Sequence, residues 1–346
     1  MKLFSLIRKE SIGAKRQEPK DAKGLTGLKG LNQKLMNYSN LTIVIGFLIV
    51  FFYFGFSTDS FFTANNIEDI VMRCTIIAPI AFGIMLTLIA KGIDLSTGAI
   101  VGLTGVIFAL ALEAGFGIGL AILFCVLLGL LVGSVNGFLV AKANLNPFVA
   151  TLAVMFIGES VERLLTRGGL PIYLYGVASG FANIYRGKIL GIPNPIWILI
   201  LLTLFYYIFL NKTEFGRKMY AGGAGIKSAR IAGVKVRAYY GLAYVFSALS
   251  SVIAGLILAS KVRSGQPLAG HAYLWDAIGA AYISTLVSKR NRPNVFGTLL
   301  GILFFSLVEN GLTLKGIEFY WKEFFKGALI IVVLLTSVWQ KKYQRV

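Results

Sequence analysis

Ten apolar runs set the terms for this chain. They cover roughly 39–57, 72–91, 96–114, 118–141, 147–165, 195–211, 239–260, 272–288, 294–313 and 323–340. A helix crosses the hydrocarbon core of a bilayer with about 20 apolar residues. In lipid the backbone must satisfy its own hydrogen bonds, which a helix does within one segment. The runs therefore predict an all-α membrane protein of about ten transmembrane helices. Of 346 residues, 56% are hydrophobic and 14% are charged, against about 25% charged in soluble domains. Soluble enzymes, disordered chains and collagen-like chains are excluded.

The formal net charge of +19 would suggest nucleic acid on a soluble protein. In a membrane chain it is read by location, because Lys and Arg gather on the cytoplasmic side. With the N-terminus inside, 24 of the 34 Lys and Arg fall on inner segments or at inner span ends. Seven of these lie in 212–238, and an even span count returns the C-terminus to the cytosol. The expected organisation is a basic cytosolic tail at 1–36, a transmembrane domain at 37–340 with an inner loop at 212–238, and a short tail at 341–346. The first 36 residues carry nine Lys and Arg and no signal-length apolar run, which predicts a tail able to lie on anionic membrane lipid. No nucleic-acid partner is expected.

Small residues dominate helix contacts in lipid because they let backbones approach. Gly129, Gly133 and Gly137 recur every four residues in the fourth run, as do Gly297 and Gly301 in the ninth. Each set is expected to mark a close helix contact. A span, a polar turn and a glycine-bearing span occur around 91–101 and again around 289–301, the pattern of a possible weak internal repeat, parallel in sense.

Catalytic chemistry is not visible. The phosphate-cradling loop is absent, since the one Gly-Lys pair, Gly187-Lys188, is followed by Ile189. His271 is the single histidine, and Cys74 and Cys125 sit inside apolar runs. No metal site, cofactor or catalytic group is expected, and the cysteines read as core residues.

The polar interruptions are the candidate sites. In Gly92-Ile93-Asp94-Leu95-Ser96, Gly92 is expected to permit a sharp reversal. Asp94 is expected to cap the next helix with Lys91 neutralising it; a broken helix lining a pathway is the other reading. Asn146 and Pro147 are expected to open the fifth span as cap and first-turn proline. Arg163 follows Glu159 by four positions, so the two can pair on one helix face. Asp276 in the eighth span and Asn310 in the ninth are intramembrane polar residues that either face a pathway or reach interfacial water. Ile226 to Ala232 can form a short amphipathic helix for a partner protein or a basic loop at the lipid surface.

These residues in this order resemble a known family: the membrane permease of binding-protein-dependent ABC importers, in the branch for ribose, galactose, xylose and related solutes. Gly92-Ile93-Asp94-Leu95-Ser96 with Gly98 resembles G-I-D-L-S-x-G, and Asn146-Pro147-Phe148-Val149 with Thr151-Leu152 is similar to x-P-F-[IV]-x-T-L. Thr213 to Arg217 with Tyr220 to Gly223 resembles T-x-[FL]-G-R-x-x-Y-A-x-G, and Ala229 to Val234 resembles A-x-x-[SA]-G-[IV]. Gln266-Pro267, Leu274 with Asp276 to Ala280, Asn310-Gly311-Leu312 and Lys326-Gly327-Ala328 complete a set that runs from about 39 to 340.

The resemblance implies a bacterial inner-membrane protein with three kinds of partner: cytosolic ABC ATPase subunits, an extracytoplasmic solute-binding protein, and a second permease chain. The ATPase-coupling residues would be Phe215, Gly216, Arg217, Gly222, Gly223, Ala229 and Gly233. The pathway or structural motifs would be Gly92, Asp94, Ser96, Asn146, Pro147, Asp276 and Asn310. Arg167, Arg186, Lys188 and Arg263 would meet acidic residues of the binding protein. The chain departs from the family at Ala224 to Lys227, where an Asn usually follows the glycines, and at Ser284 to Asn294, where a glycine-rich turn is usual. Both fall on the ATPase side, which leaves a homodimer or a heterodimer with a more typical paralogue. Rival readings are a nucleoside permease of the same family, an ion-coupled secondary transporter using Asp276 or Glu159, and a non-transporting receptor or scaffold.

Overall fold

The computed structural model describes residues 45–174, 179–288 and 292–343. The basic tail at 1–36, residues 344–346 and the turn cations Lys289 and Arg290 lie outside the described residues. Helix α1 is Ile45–Ser57. It is followed by α2 Ala64–Ile89, α3 Thr97–Glu113, α4 Ile118–Gly137 with a π-helical extension Phe138–Lys142, and α5 Pro147–Leu165. Next come α6 Ser179–Arg186, α7 Asn194–Asn211, α8 Glu214–Ala224, α9 Ile226–Ile231 and α10 Val236–Val262. The last three are α11 His271–Val287, α12 Val295–Leu314 and α13 Phe319–Tyr343. Each of the ten apolar runs holds a helix, and five helices are long and apolar enough to cross a bilayer. Two small antiparallel ladders join Ile172–Tyr173 (β1) to Ser264–Gly265 (β4) and Lys188–Ile189 (β2) to Ile192–Pro193 (β3).

The helix starts follow from local chemistry. The first turns leave backbone N–H groups without partners, and Thr or Asn side chains accept from them. Thr63 caps α2, Asn146 caps α5 with Pro147 in the first turn, Thr213 caps α8 and Asn294 caps α12. The sequence expectation for Asn146 and Pro147 is met.

Helix α2 is the buried axis, with Ile76 to Leu86 almost entirely inaccessible. It packs along α10, and both glycine stripes do what lipid packing requires. The Cβ positions of Gly129 and Gly133 would lie 2.8 Å from the Val252 side chain and 2.7 Å from the Val245 backbone of α10, and that of Gly137 2.8 Å from the Gly241 carbonyl. Residue numbers rise on α4 as they fall on α10, so these helices are antiparallel. Gly297 and Gly301 likewise seat α12 on the backbone of Ser284 and Ala280 in α11.

The repeat has a different register from the one the sequence suggests. Helices α2 and α3, which flank 91–101, scarcely touch, whereas α11 and α12, which flank 289–301, pack along their length. A parallel repeat relating those hairpins is therefore wrong. The contacts are instead preserved when α2–α5 are exchanged with α10–α13. Helix α10 packs on α3 and α4 as α2 packs on α11 and α12, and α5 lies on α3 as α13 lies on α11. Since α2 runs with α4 and against α10, the two halves are inverted. Their first turns meet in the interior, where the Cβ position of Gly270 would fall on the Gly98 carbonyl.

Candidate functional site

The turn between α2 and α3 is held by polar groups sealed from solvent. Asp94 is fully buried. Its Oδ1 accepts from the Ser96 N–H at 3.1 Å and from the Ser96 hydroxyl at 2.6 Å. Ser96 Oγ in turn accepts from Asn136 Nδ2 on α4 at 2.7 Å. From α10, Tyr244 brings its hydroxyl against Gly92 of the turn and Ser247 packs on Gly83 of α2. Thr151 of α5 closes the turn, accepting from Leu95 N–H at 3.1 Å and donating to Pro147 O at 2.8 Å.

Three expectations for this turn need correction. Ser96, not Asp94, is the residue at the N-cap of α3, and it makes no side-chain cap bond; Asp94 folds back on residue 96 two positions ahead, an Asx turn. Lys91 is exposed and Asp94 is not, so this lysine does not neutralise it. The left-handed residue at the reversal is Lys91, with φ 60°. Gly92 is required for a different reason: a Cβ there would fall on the Tyr244 hydroxyl.

Helices α8 and α9 form an elbow beneath one end of the bundle, called here the α8 end. Three glycines bring α8 against the helix ends above it. Cβ atoms at Gly216 and Gly223 would fall on the carbonyls of Leu210 in α7 and Ile89 in α2, and one at Gly222 would press on Val236 and Tyr240 of α10. Phe215 stacks on Phe209, with ring centroids 4.4 Å apart, and meets Tyr239 and Phe246 of α10. Tyr220 donates to Pro293 O at 2.8 Å, joining the elbow to the turn before α12. Burial pushes the Tyr220 phenol up to about 12, so it stays protonated and able to donate. Glu214 and Lys218 pair on the open side of α8, and the ammonium holds the carboxyl below the usual range. On α9, Ala229 is buried while Ile231 is 89% exposed, and Gly233 takes φ 78° to end the segment. Arg217 lines a shallow pocket beside α8 with Asn211 and Asn294.

The sequence motifs converge on a cavity of about 630 Å³ at this end. Gly92 and Ile93, Asn146 and Pro147, and Tyr220 and Gly223 each contribute a wall, and α11 closes the space with Tyr282 and Thr285. Asp94 and Ser96 lie behind that wall, out of the cavity.

At the opposite end, called the α6 end, lies a second cavity of about 840 Å³. Its walls include His271 and Trp275 of α11, Glu309 of α12, and Phe319 and Lys326 of α13. Four charges, two of them in this wall and two behind it, join four helices. Arg73 of α2 meets Asp276 at 2.9 Å, and Lys326 bridges Asp276 at 3.4 Å and Glu309 at 2.8 Å. Two cations and two carboxylates balance, as burial demands. Asn310 donates to Asn66 Oδ1 at 2.8 Å, and Asn66 donates to Phe61 O. Glu159 pairs with Arg163 at 3.9 Å, as its spacing predicts, and bonds His271 Nε2 at 2.7 Å.

Arg167, Arg186, Lys188 and Arg263 are exposed at this same end. The β1–β4 ladder and the bond from Leu174 N–H to Arg263 O at 3.0 Å stitch the 166–193 loop over the α10–α11 turn. Lys188 lies 3.8 Å from Glu68. Sequence reasoning missed Arg73, Tyr244, Trp275, Tyr282 and the ionic role of Lys326. A charged residue inside an apolar run was the available signal for Arg73.

A helical membrane bundle with an elbow under one end and a cavity at each end has the form of a transport permease. The family model for the permease component of branched-chain amino acid transport systems matches residues 66–334, and this chain belongs to that family. The ribose import permease of Bacillus subtilis (strain 168) is 35% identical over 306 residues, 88% of this chain and 93% of its own length. The ribose import permease of Escherichia coli (strain K12) is 32% identical over 287 residues, 80% and 87% of the two chains. The galactofuranose transporter permease of the same strain is 33% identical over 272 residues, 78% of each. No solved structure matches the chain.

Proposed function

We propose that this chain is the permease subunit of an ABC importer that carries a monosaccharide across the bacterial cytoplasmic membrane. The observation that carries the reading is the wall shared by the elbow and the 630 Å³ cavity: Tyr220, Gly223 and Ala224 of α8 line it directly. A cytosolic ATPase that moves α8 moves the cavity wall. ATP binding and hydrolysis on that partner then drive alternating access through a chain that has no nucleotide loop of its own.

The α8 end is cytosolic in this reading, because 212–238 carries seven Lys and Arg. Ten crossings with both termini inside follow. Ile231 with Lys227 and Arg230 forms the surface for the ATPase. The exposed Arg167, Arg186, Lys188 and Arg263 form the surface for an acidic face on the solute-binding protein, where complementary charge speeds encounter. A second permease chain completes the path, as a homodimer or with a more typical paralogue. The sugar relatives supply the substrate class. An ion-coupled mechanism finds less support, since Asp276 and Glu159 are both held by cations or His271.

The test is uptake into proteoliposomes holding the permease, its ATPase and its binding protein. ATP-dependent accumulation of a labelled pentose or hexose is expected. Accumulation driven by a proton gradient with no ATPase present overturns the reading.

A further inference from the structure

The two cavities end on one face of one helix. His271, Trp275, Ile278, Tyr282 and Thr285 are spaced by four, three, four and three residues, which places them on a single stripe of α11. His271 and Trp275 line the 840 Å³ cavity, while Tyr282 and Thr285 line the 630 Å³ cavity. Ile278 sits between them, 3% exposed, packed in the main hydrophobic core and lining neither. Trp275 and Tyr282 are seven residues apart, about 10 Å along the axis.

We propose that this stripe is the translocation track for a neutral, polyhydroxylated solute, and that Ile278 is the gate that separates its outer and inner halves. The proposal rests on the importer reading above and adds to it which surface the cargo crosses.

The lining chemistry fits such a cargo. Each half offers an aromatic ring, Trp275 above and Tyr282 below, whose face can pack on the C–H side of a sugar ring. Each is also lined by residues with hydrogen-bonding side chains. His271, Glu309, Lys322 and Glu323 serve the outer half, and Lys91, Asn146 and Thr285 the inner half. The acids and bases of the outer half come in both signs, which suits a neutral solute. The Asp276 ion cluster lies one position round the helix from Trp275 and fixes α2, α12 and α13 against α11. Asp276 and Arg73 hold the wall from behind, while Glu309 and Lys326 of the same cluster face the outer half.

Thiol labelling of the full transporter in proteoliposomes tests the track without reference to transport. Cys74 and Cys125 are buried, so the native chain is the unlabelled control. A membrane-impermeant methanethiosulfonate should reach Trp275→Cys from the α6 side only and Tyr282→Cys from the α8 side only. Ile278→Cys should react about tenfold more slowly than either at rest, and faster while loaded binding protein and ATP are turning over. Labelling of Trp275→Cys and Tyr282→Cys from the same side overturns the proposal. So does an Ile278→Cys that stays unreactive through turnover. Ile278→Trp should block uptake yet keep stimulated ATP hydrolysis, and unimpaired uptake by a folded Ile278→Trp also overturns it. If native uptake of every monosaccharide fails while the labelling pattern holds, the substrate reading fails and the track stands.

Discussion

The Tyr220 hydroxyl donates to the Pro293 carbonyl across 73 residues of sequence, tying α8 to the segment that leads into α12. In the proposed mechanism this bond passes a push on the elbow toward the α11–α12 pair. Tyr220→Phe removes one neutral hydrogen bond, a loss of about 1 kcal/mol. The expected result is ATP hydrolysis still stimulated by the binding protein with uptake several-fold lower per ATP. Measuring both rates on the same proteoliposomes checks it.

Gly92→Ala should be strongly destabilising because its methyl would meet the Tyr244 hydroxyl. Tyr244→Phe removes that oxygen, so the double variant should recover much of the loss. Thermal unfolding in detergent across the four proteins gives the coupling directly, and a double variant no better than the single one would refute the contact.

Removing one member of the ionic cluster strands the rest. Asp276→Asn leaves Arg73 without its carboxylate, and breaking a buried pair typically costs about 3–5 kcal/mol. Replacing a full set of partners with apolar residues of similar size should cost less. Stability in detergent and the amount of folded protein in the membrane report the difference.

Gly133→Val should fail by overpacking. Its Cβ position lies 2.7 Å from the Val245 backbone, which cannot yield as a side-chain tip would, and overpacking of this kind costs about 1–3 kcal/mol or more. Gly119→Val, with no atom within 4 Å of its Cβ position, should be near neutral in the same unfolding assay.

Ile231→Glu on α9 tests the proposed motor contact. An exposed residue contributes little to folding, so stability should be unchanged while co-purification with the ATPase falls. Retained ATPase binding would place the contact elsewhere.

The sequence made the helices readable because lipid leaves the backbone little choice: apolar runs became helices, and glycines four apart became close contacts. Asn146 and Pro147 were legible for a local reason, since a cap needs only its own neighbours. The Arg73–Asp276 pair was not, because its partners lie 203 residues apart. Gly92 showed that something small was needed but not that Tyr244 was the cause. The repeat was misread because an inverted relation keeps helix contacts while changing which side of the membrane each turn occupies. The similar-looking turns at 91–101 and 289–301 were therefore the wrong pair.

In the proposed track the two cavities are divided at Ile278, between ring-bearing residues about 10 Å apart along α11, and if water fills both they concentrate the electric field there. A voltage that would fall over about 30 Å of hydrocarbon would then fall over roughly a third of that distance, around Ile278. A neutral sugar passes it with no electrical work. A doubly charged anion such as a sugar monophosphate, entering against an inside-negative potential of about 100 mV, would face about 4.6 kcal/mol. Membrane polarisation would thus sort cargo by charge at Ile278, before any side chain there has to.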